Sequence, residues 1–436
     1  MSHKIFIITL SIALLSFVAT RAQNEQIDQN EPFLGHLVIA GGGMEAENHD
    51  FYVKLINLAG GPEKASFAII PAAGGVPMQS YVLIRSTLLS YGVEPKNIHL
   101  IPIAMVDDDS TLNVDESKWK DNSYDIKLAE DVRKCSCVWF TGGDQSRITQ
   151  LLYKNNSEKT PVLEAVWDVY NRGGVIGGTS AGAAMMSNPM IASGTSMGAL
   201  TWSDSDEQLV MAEGLGFFKE GIVDQHFNQR SRTGRLITAL WKSGYTMGYG
   251  VDENTALCYT SGTNKFEVVG ASGVTIIDAS QAKYNTVIVS GNSDTLMSVE
   301  NVTIHYLTTG DMFDITTGSI LPASYKSDLL LKIENGHQRF SEKNSDTIIQ
   351  SGLMTSYNNG LIDIITEMTN RPDLLSIHNI NYINNESALK VVLSRQFNFS
   401  AYSGQTDDEN EKYLFSGVRM DIEPVKIEYH QIKTVD

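Results

Sequence analysis

Cysteine is scarce in this chain, with only Cys135, Cys137 and Cys258 among 436 residues. An odd count without C-x-x-C spacing excludes a disulfide framework and a thiolate zinc site. No H-E-x-x-H or other metal-ligand cluster takes their place, so neither a metal nor a cofactor is expected. Long apolar runs are equally rare. The one candidate, Ile5 to Ala19, is shorter than the roughly 20 residues that cross a bilayer, so no membrane span is expected. It follows Lys4 and leads into Thr20-Arg21-Ala22, small residues that suit a signal peptidase. Residues 1–22 are therefore expected to be a cleaved secretory signal, with a secreted or periplasmic chain starting near Gln23. Positive charge is in deficit, 33 basic against 51 acidic residues for a net of −18. That balance argues against nucleic acid or an anionic membrane surface as partner. Low-complexity tracts and strong repeats are also absent, and the composition is that of an ordinary globular protein.

Short apolar runs are plentiful. His36–Ala40, Ser66–Ile70, Asn97–Ile103, Ser136–Phe140, Gly174–Gly178 and Gly221–Asp224 have strand length, and Gln79–Ser90, Ile126–Arg133, Gln145–Tyr153 and Pro161–Tyr170 carry helical patterns between them. Such alternation predicts an α/β fold of three layers around one mostly parallel sheet, with sites at the carboxyl ends of its strands. Alternation in Cys135-Ser136-Cys137 predicts both thiols on one face of a strand, in the core. From Thr255 onward closely spaced strand signals read as a β-rich completion ending near Leu321. The organisation expected is a catalytic domain at 33–322 and a small α+β module at 325–436 that carries no chemical motif.

Gly178-Thr179-Ser180-Ala181-Gly182 joins an apolar strand to a helix and has the form of a nucleophile elbow. Its tight turn needs small neighbours, and it leaves the Ala181 N–H facing a reacting carbonyl. Phe140-Thr141-Gly142-Gly143-Asp144-Gln145 sets a second glycine turn at a strand end. Its Gly143 N–H can complete an oxyanion hole, with Asp144 as helix cap and Gln145 as a substrate contact. Gly41-Gly42-Gly43 ends the first strand, and without an acidic residue closing the next strand it reads as a tight turn lining the site rather than a nucleotide loop. A serine nucleophile needs a base, and His226 follows a strand end in Ile222-Val223-Asp224-Gln225-His226. That position is expected on the same sheet edge as Ser180. Asp252 and Glu253 follow another short strand and offer the orienting carboxylate, and periodicity leaves both open. Arg230, Arg232 and Arg235 either fix substrate carboxylates or line a salt-bridged helix.

Four stretches in this order, Phe140 to Gln145, Gly177 to Ala183, Asp224 to Phe227 with the three arginines, and Gly250 to Ala256, resemble the serine peptidase family of the cyanophycinases and aspartyl dipeptidases. The similarity covers about residues 34 to 320. It implies a fold like the class I glutamine amidotransferases, with serine in place of their cysteine. By position Ser180 matches the family's nucleophile, His226 its base and Glu253 its orienting acid. Gln145, Asp224, Gln225, Arg230, Arg232 and Arg235 match positions that bind substrate. The implied reaction is release of β-Asp-Arg dipeptides from cyanophycin, a polyaspartate with arginine on each β-carboxyl. Other aspartyl peptides, or a noncatalytic binding role on the same fold, are the alternatives. A homodimer is a further expectation from the family.

Overall fold

Five short apolar strands, His36–Ala40, Phe67–Ile70, Ile98–Leu100, Cys137–Phe140 and Val175–Thr179, run parallel in one sheet. In the computed structural model, residues 35–155, 157–202, 207–288, 295–330, 347–349, 352–355, 360–371, 374, 376–406 and 410–427 are described. Residues 1–22, the expected signal, lie outside them. Apolar side chains on both faces of these strands demand cover on both sides. Leu37 and Ile39 pack with Ala129, Val132, Leu163 and Val166, while Val38 and Ala40 pack with Phe51, Leu55, Ile84 and Leu88. Helices Ile126–Lys134 and Pro161–Asn171 thus cover one face, and His49–Leu58 and Pro77–Ser90 the other. Local sequence starts these helices where it should. Asp125 accepts from the N–H groups of Lys127 and Leu128, and Thr160 from that of Leu163 just before Pro161.

The sheet is not mostly parallel throughout. Beyond His36–Ala40 it continues antiparallel through Thr255–Thr260, Lys265–Gly270, Met312–Asp314 and Ser319–Leu321. A second, largely antiparallel sheet holds, in order, Thr347–Ile349, Ser376–Tyr382, Ser387–Gln405, Glu411–Lys426, Thr295–Thr308, Gly273–Asp278, Met247–Val251 and Ile222–Gln225. Its last pair is parallel. The strands beyond residue 325 therefore share a sheet with those before 322, for Val299 faces Ile422 and Tyr306 faces Phe415 across one ladder. The described residues fall in one compact unit. The chain passes from the second sheet to the first between Val251 and Thr255, and back between Gly270 and Gly273.

One core expectation needs correcting. Cys137 begins its strand and packs in one core layer, whereas Cys135 caps the preceding helix and packs in the other. The helix runs to Lys134, so strand alternation does not reach back to Cys135. All three cysteines are free and buried. Among the described residues no helix is long and apolar enough to cross a membrane.

A fully buried ion pair ties the turn after Thr295–Thr308 to the segment that leads into Ser327–Asp328. Lys326 Nζ donates to Asp311 Oδ2 at 2.5 Å and to Thr308 Oγ1 at 2.6 Å, and Asp311 also accepts from the N–H of Ala323 at 2.9 Å. Breaking a buried pair strands the remaining charge. Lys326→Met should therefore lower the free energy of unfolding by about 3–5 kcal/mol, read from denaturant titration; a loss below about 1 kcal/mol would count against the pair.

Candidate active site

Small residues let the chain reverse around Ser180. A Cβ at Gly178 would lie 2.5 Å from the Gly182 carbonyl oxygen, and one at Gly182 would lie 2.5 Å from that of Phe140. Between them Ser180 takes φ 55° and ψ −109°, where strand Val175–Thr179 meets the short helix Ala181–Ala184. Holding a residue with a Cβ there costs on the order of 1–3 kcal/mol, and such strain gathers at functional sites. The turn lifts the hydroxyl clear of the sheet. Ser180 Oγ is 2.8 Å from His226 Nε2, and the ring's other nitrogen, Nδ1, is 2.5 Å from Glu253 Oε1. His226 is buried, while the Glu253 carboxylate is partly open to solvent.

His226 and Glu253 come from the second sheet, which corrects the expectation of a single sheet edge. Ile222–Gln225, which leads into His226, pairs in parallel with Met247–Val251, and Glu253 sits where the chain crosses to the first sheet. The carboxyl ends of both sheets meet at the turn after His36–Ala40. Successive carbonyls there accept backbone N–H groups: Ala40 from Ser180 at 2.9 Å, Gly41 from His226 at 2.8 Å and Gly42 from Asn254 at 2.8 Å. All three donor residues have left-handed backbones, with φ of 55°, 46° and 54°. Gly42 itself has φ 110°, and a Cβ on it would lie 2.2 Å from Cε1 and 2.3 Å from Nε2 of His226. Gly41 to Gly43 thus do line the site, as a backbone clamp.

Burial above all favours the neutral form of His226. Burial lowers its pKa below the usual 6.5, Arg230 and Arg232 push the same way, and Glu253 opposes them. With Glu253 accepting from Nδ1–H, the lone pair on Nε2 faces the Ser180 hydroxyl. This arrangement can take a proton from serine during attack on a carbonyl.

The remaining expected residues divide. Gly142 lies against Ser180, with a hypothetical Cβ 3.3 Å from Ser180 Cβ, so the Gly142-Gly143 turn and Ala181 flank the hydroxyl. Asp144 caps its helix, accepting from the Ser146 N–H at 2.9 Å. Gln145 spends its amide N–H groups on the carbonyls of Ile191 and Ala192 at 2.9 and 2.5 Å. Asp224 is buried under Arg235, which donates from Nε at 2.8 Å and Nη2 at 2.6 Å, and Arg232 donates to the Gln225 carbonyl at 2.5 Å. Among the described residues the buried side-chain oxygen of Gln225 meets no hydrogen-bond partner. Arg230 is exposed, and among the described residues its guanidinium meets no carboxylate. Around Asn254 opens a cavity of about 500 Å³ lined in part by Glu45, Glu47, Asp50, Tyr325 and Lys412.

Sequence reasoning missed Asn254 and Gln229. Asn254 accepts from Asn48 Nδ2 at 2.7 Å and donates to Glu45 at 2.8 Å, and Gln229 Oε1 accepts the Glu253 N–H at 3.0 Å. Asparagine tolerates left-handed backbone, so Asn254 ahead of a strand was an available turn signal.

The sequence profile of peptidase family S51 matches residues 36–266, a span that contains Ser180, His226 and Glu253. The chain belongs to peptidase family S51. This S51 peptidase is a serine-type hydrolase, and it is 33% identical over 286 residues to the cyanophycinase of Geminocystis herdmanii, covering 64% of this chain and 93% of that protein. Against the cyanophycinase of Trichormus variabilis it is 37% identical over 202 residues, 46% of this chain and 64% of the relative. Against that of Synechococcus elongatus the figures are 31% over 293 residues, 66% and 82%.

A methyl group on Gly42 has nowhere to go but into the imidazole. Gly42→Ala in the S51 peptidase should leave a folded chain with peptidase activity reduced about 100-fold or more, since displacing a reacting group by an ångström costs about that much. Activity within threefold of wild type, with an unchanged melting curve, would show that the ring does not need this space.

Proposed function

We propose that the chain hydrolyses cyanophycin to β-Asp-Arg dipeptides through an acyl-enzyme on Ser180. The observation that carries this reading is the continuous Ser180–His226–Glu253 hydrogen-bonded chain on a strained elbow. In the reaction, Ser180 Oγ attacks the scissile carbonyl while His226 Nε2 takes its proton, and Glu253 holds the imidazolium that forms. The N–H groups of Ala181 and Gly143 receive the developing oxyanion. His226 then passes its proton to the leaving amine, and water, activated by the same imidazole, frees the acyl group.

Charge placement supports an aspartyl-arginine substrate. Arg230 is a solvent-facing guanidinium beside His226 and suits a substrate carboxylate, whereas Arg235 is committed to Asp224 and orders the loop behind the base. The carboxylates of Glu45, Glu47 and Asp50 around the neighbouring cavity suit substrate guanidiniums. The buried oxygen of Gln225 is a further acceptor for a substrate N–H.

Purified protein incubated with cyanophycin should release β-Asp-Arg, identified by mass, and Ser180→Ala should abolish that release. Cleavage confined to α-linked aspartyl peptides would redirect the reading to an aspartyl dipeptidase, and an active Ser180→Ala would end it. The pH profile gives a second check. Only neutral His226 can act as base, so kcat/KM should fall as pH drops through a midpoint below 6.5. Arg230→Gln removes a cation that depresses this pKa and should move the midpoint upward; a shift downward would contradict the electrostatic account.

A further inference from the structure

His226 and Glu253 hang on separate loops, and their 2.5 Å contact requires those loops to stay in one register. Asp252 is placed to enforce it. Its carboxylate is completely buried and takes donors from both sides of the gap. Asn228 donates its N–H to Oδ1 at 3.0 Å and its Nδ2 to Oδ1 and Oδ2 at 2.9 and 3.2 Å. Ser272 Oγ and Tyr306 OH add 2.9 and 3.2 Å hydrogen bonds to Oδ2. Asn228 lies two residues after His226, and Asp252 immediately precedes Glu253, so this side chain staples the base's loop to the acid's loop. Among the described residues no lysine or arginine pairs with it, and an unpaired buried carboxylate is costly to keep. His226 itself is held at φ 46°, a conformation that persists only where its surroundings fix it.

We propose that Asp252 is a positioning residue for peptide hydrolysis, acting through Asn228 to hold His226 against Glu253. The inference rests on the reading in which Ser180, His226 and Glu253 act together. Asp252→Asn keeps the shape but replaces one acceptor oxygen by a donor, and Asn228→Ala cuts the same tie from the other side. Each should lower kcat about 10-fold or more with KM within about twofold, and slow labelling of Ser180 by a fluorophosphonate probe to match. Each should also move the acid limb of kcat/KM to lower pH. The Glu253 hydrogen bond is what holds the His226 pKa up against burial, Arg230 and Arg232, so loosening it lets that pKa fall. Lys326→Met, which breaks an ion pair whose hydrogen bonds reach Asp311, Thr308 and Tyr413 and none of Ser180, His226 or Glu253, is the stability control and should lower Tm with kcat kept.

The proposal is overturned if the folded variants keep kcat and labelling rate within twofold of wild type. It is equally overturned if Lys326→Met at the same Tm loss slows both as much. Should Asp252→Asn fail to fold, Asn228→Ala decides alone. A wild-type chain whose Ser180 takes no probe overturns the underlying reading instead, so the two failures are distinct.

Discussion

Three adjacent carbonyls, those of Ala40, Gly41 and Gly42, take the N–H groups of Ser180, His226 and Asn254, and the site cannot be assembled without them. Each donor sits in left-handed backbone that ordinary residues avoid, at a cost of order 1–3 kcal/mol apiece. Each of these conformations is tolerated because its N–H finds a fixed acceptor on the same short turn. A single strand end therefore sets the positions of three loops that arrive from two sheets, and the glycines in it exist because the imidazole and the Asp252 backbone approach too closely for any side chain.

Behind this turn the polar groups separate into two kinds. Those committed to the protein are saturated: Asp224 with Arg235, Asp252 with Asn228, Gln145 with the backbone of Met190–Ser193. Those left toward solvent, Arg230 and the carboxylates of Glu47 and Asp50, have opposite signs at different points around the site. Short-range selection under the proposed reaction falls to the few groups that are not already paired.

Much of the site was legible in the chain because steric necessity writes itself into local sequence. Gly178 and Gly182 flank Ser180 for close packing, and Gly41 and Gly42 mark a turn with no room for a side chain, so both were readable from spacing. Strand and helix positions were likewise readable, as with Pro77–Ser90 and Ile126–Lys134. Partnership between strands was not. Hydrophobic period tells which face of Ile222–Gln225 is buried but not which strand lies beside it, so His226 was expected on one sheet and stands on another. The partners of the arginines were hidden for the same reason. Arg235 finds Asp224 only after helix Thr233–Ser243 folds back over the strand, and nothing local distinguishes it from Arg230. The choice between Asp252 and Glu253 turned on a crossing between sheets that periodicity cannot report.

The order of strands bears on which backbone groups the two sheets leave open at their edges. Both sheets contain long, apolar ladders, yet among the described residues the strands at the two ends of each sheet's order are short, with Lys283–Ile288 a six-residue edge beside Thr295–Thr308. The first sheet ends in Ile98–Leu100 and Ser319–Leu321, three residues each, and the second in Thr347–Ile349 and Ile222–Gln225, of three and four. Within the 14 residues of Thr295–Thr308, the stretch from Val299 to Tyr306 lies against Glu411–Lys426 on one side, and Lys283–Ile288 and Gly273–Asp278 take the other. An outer strand offers unpaired N–H and C=O groups as a template for a foreign strand, and the hazard grows with its length. Short strands at the ends of each sheet's order leave little template exposed at those edges, and the closing hairpin Ser387–Gln405 and Glu411–Lys426 covers one side of Thr295–Thr308.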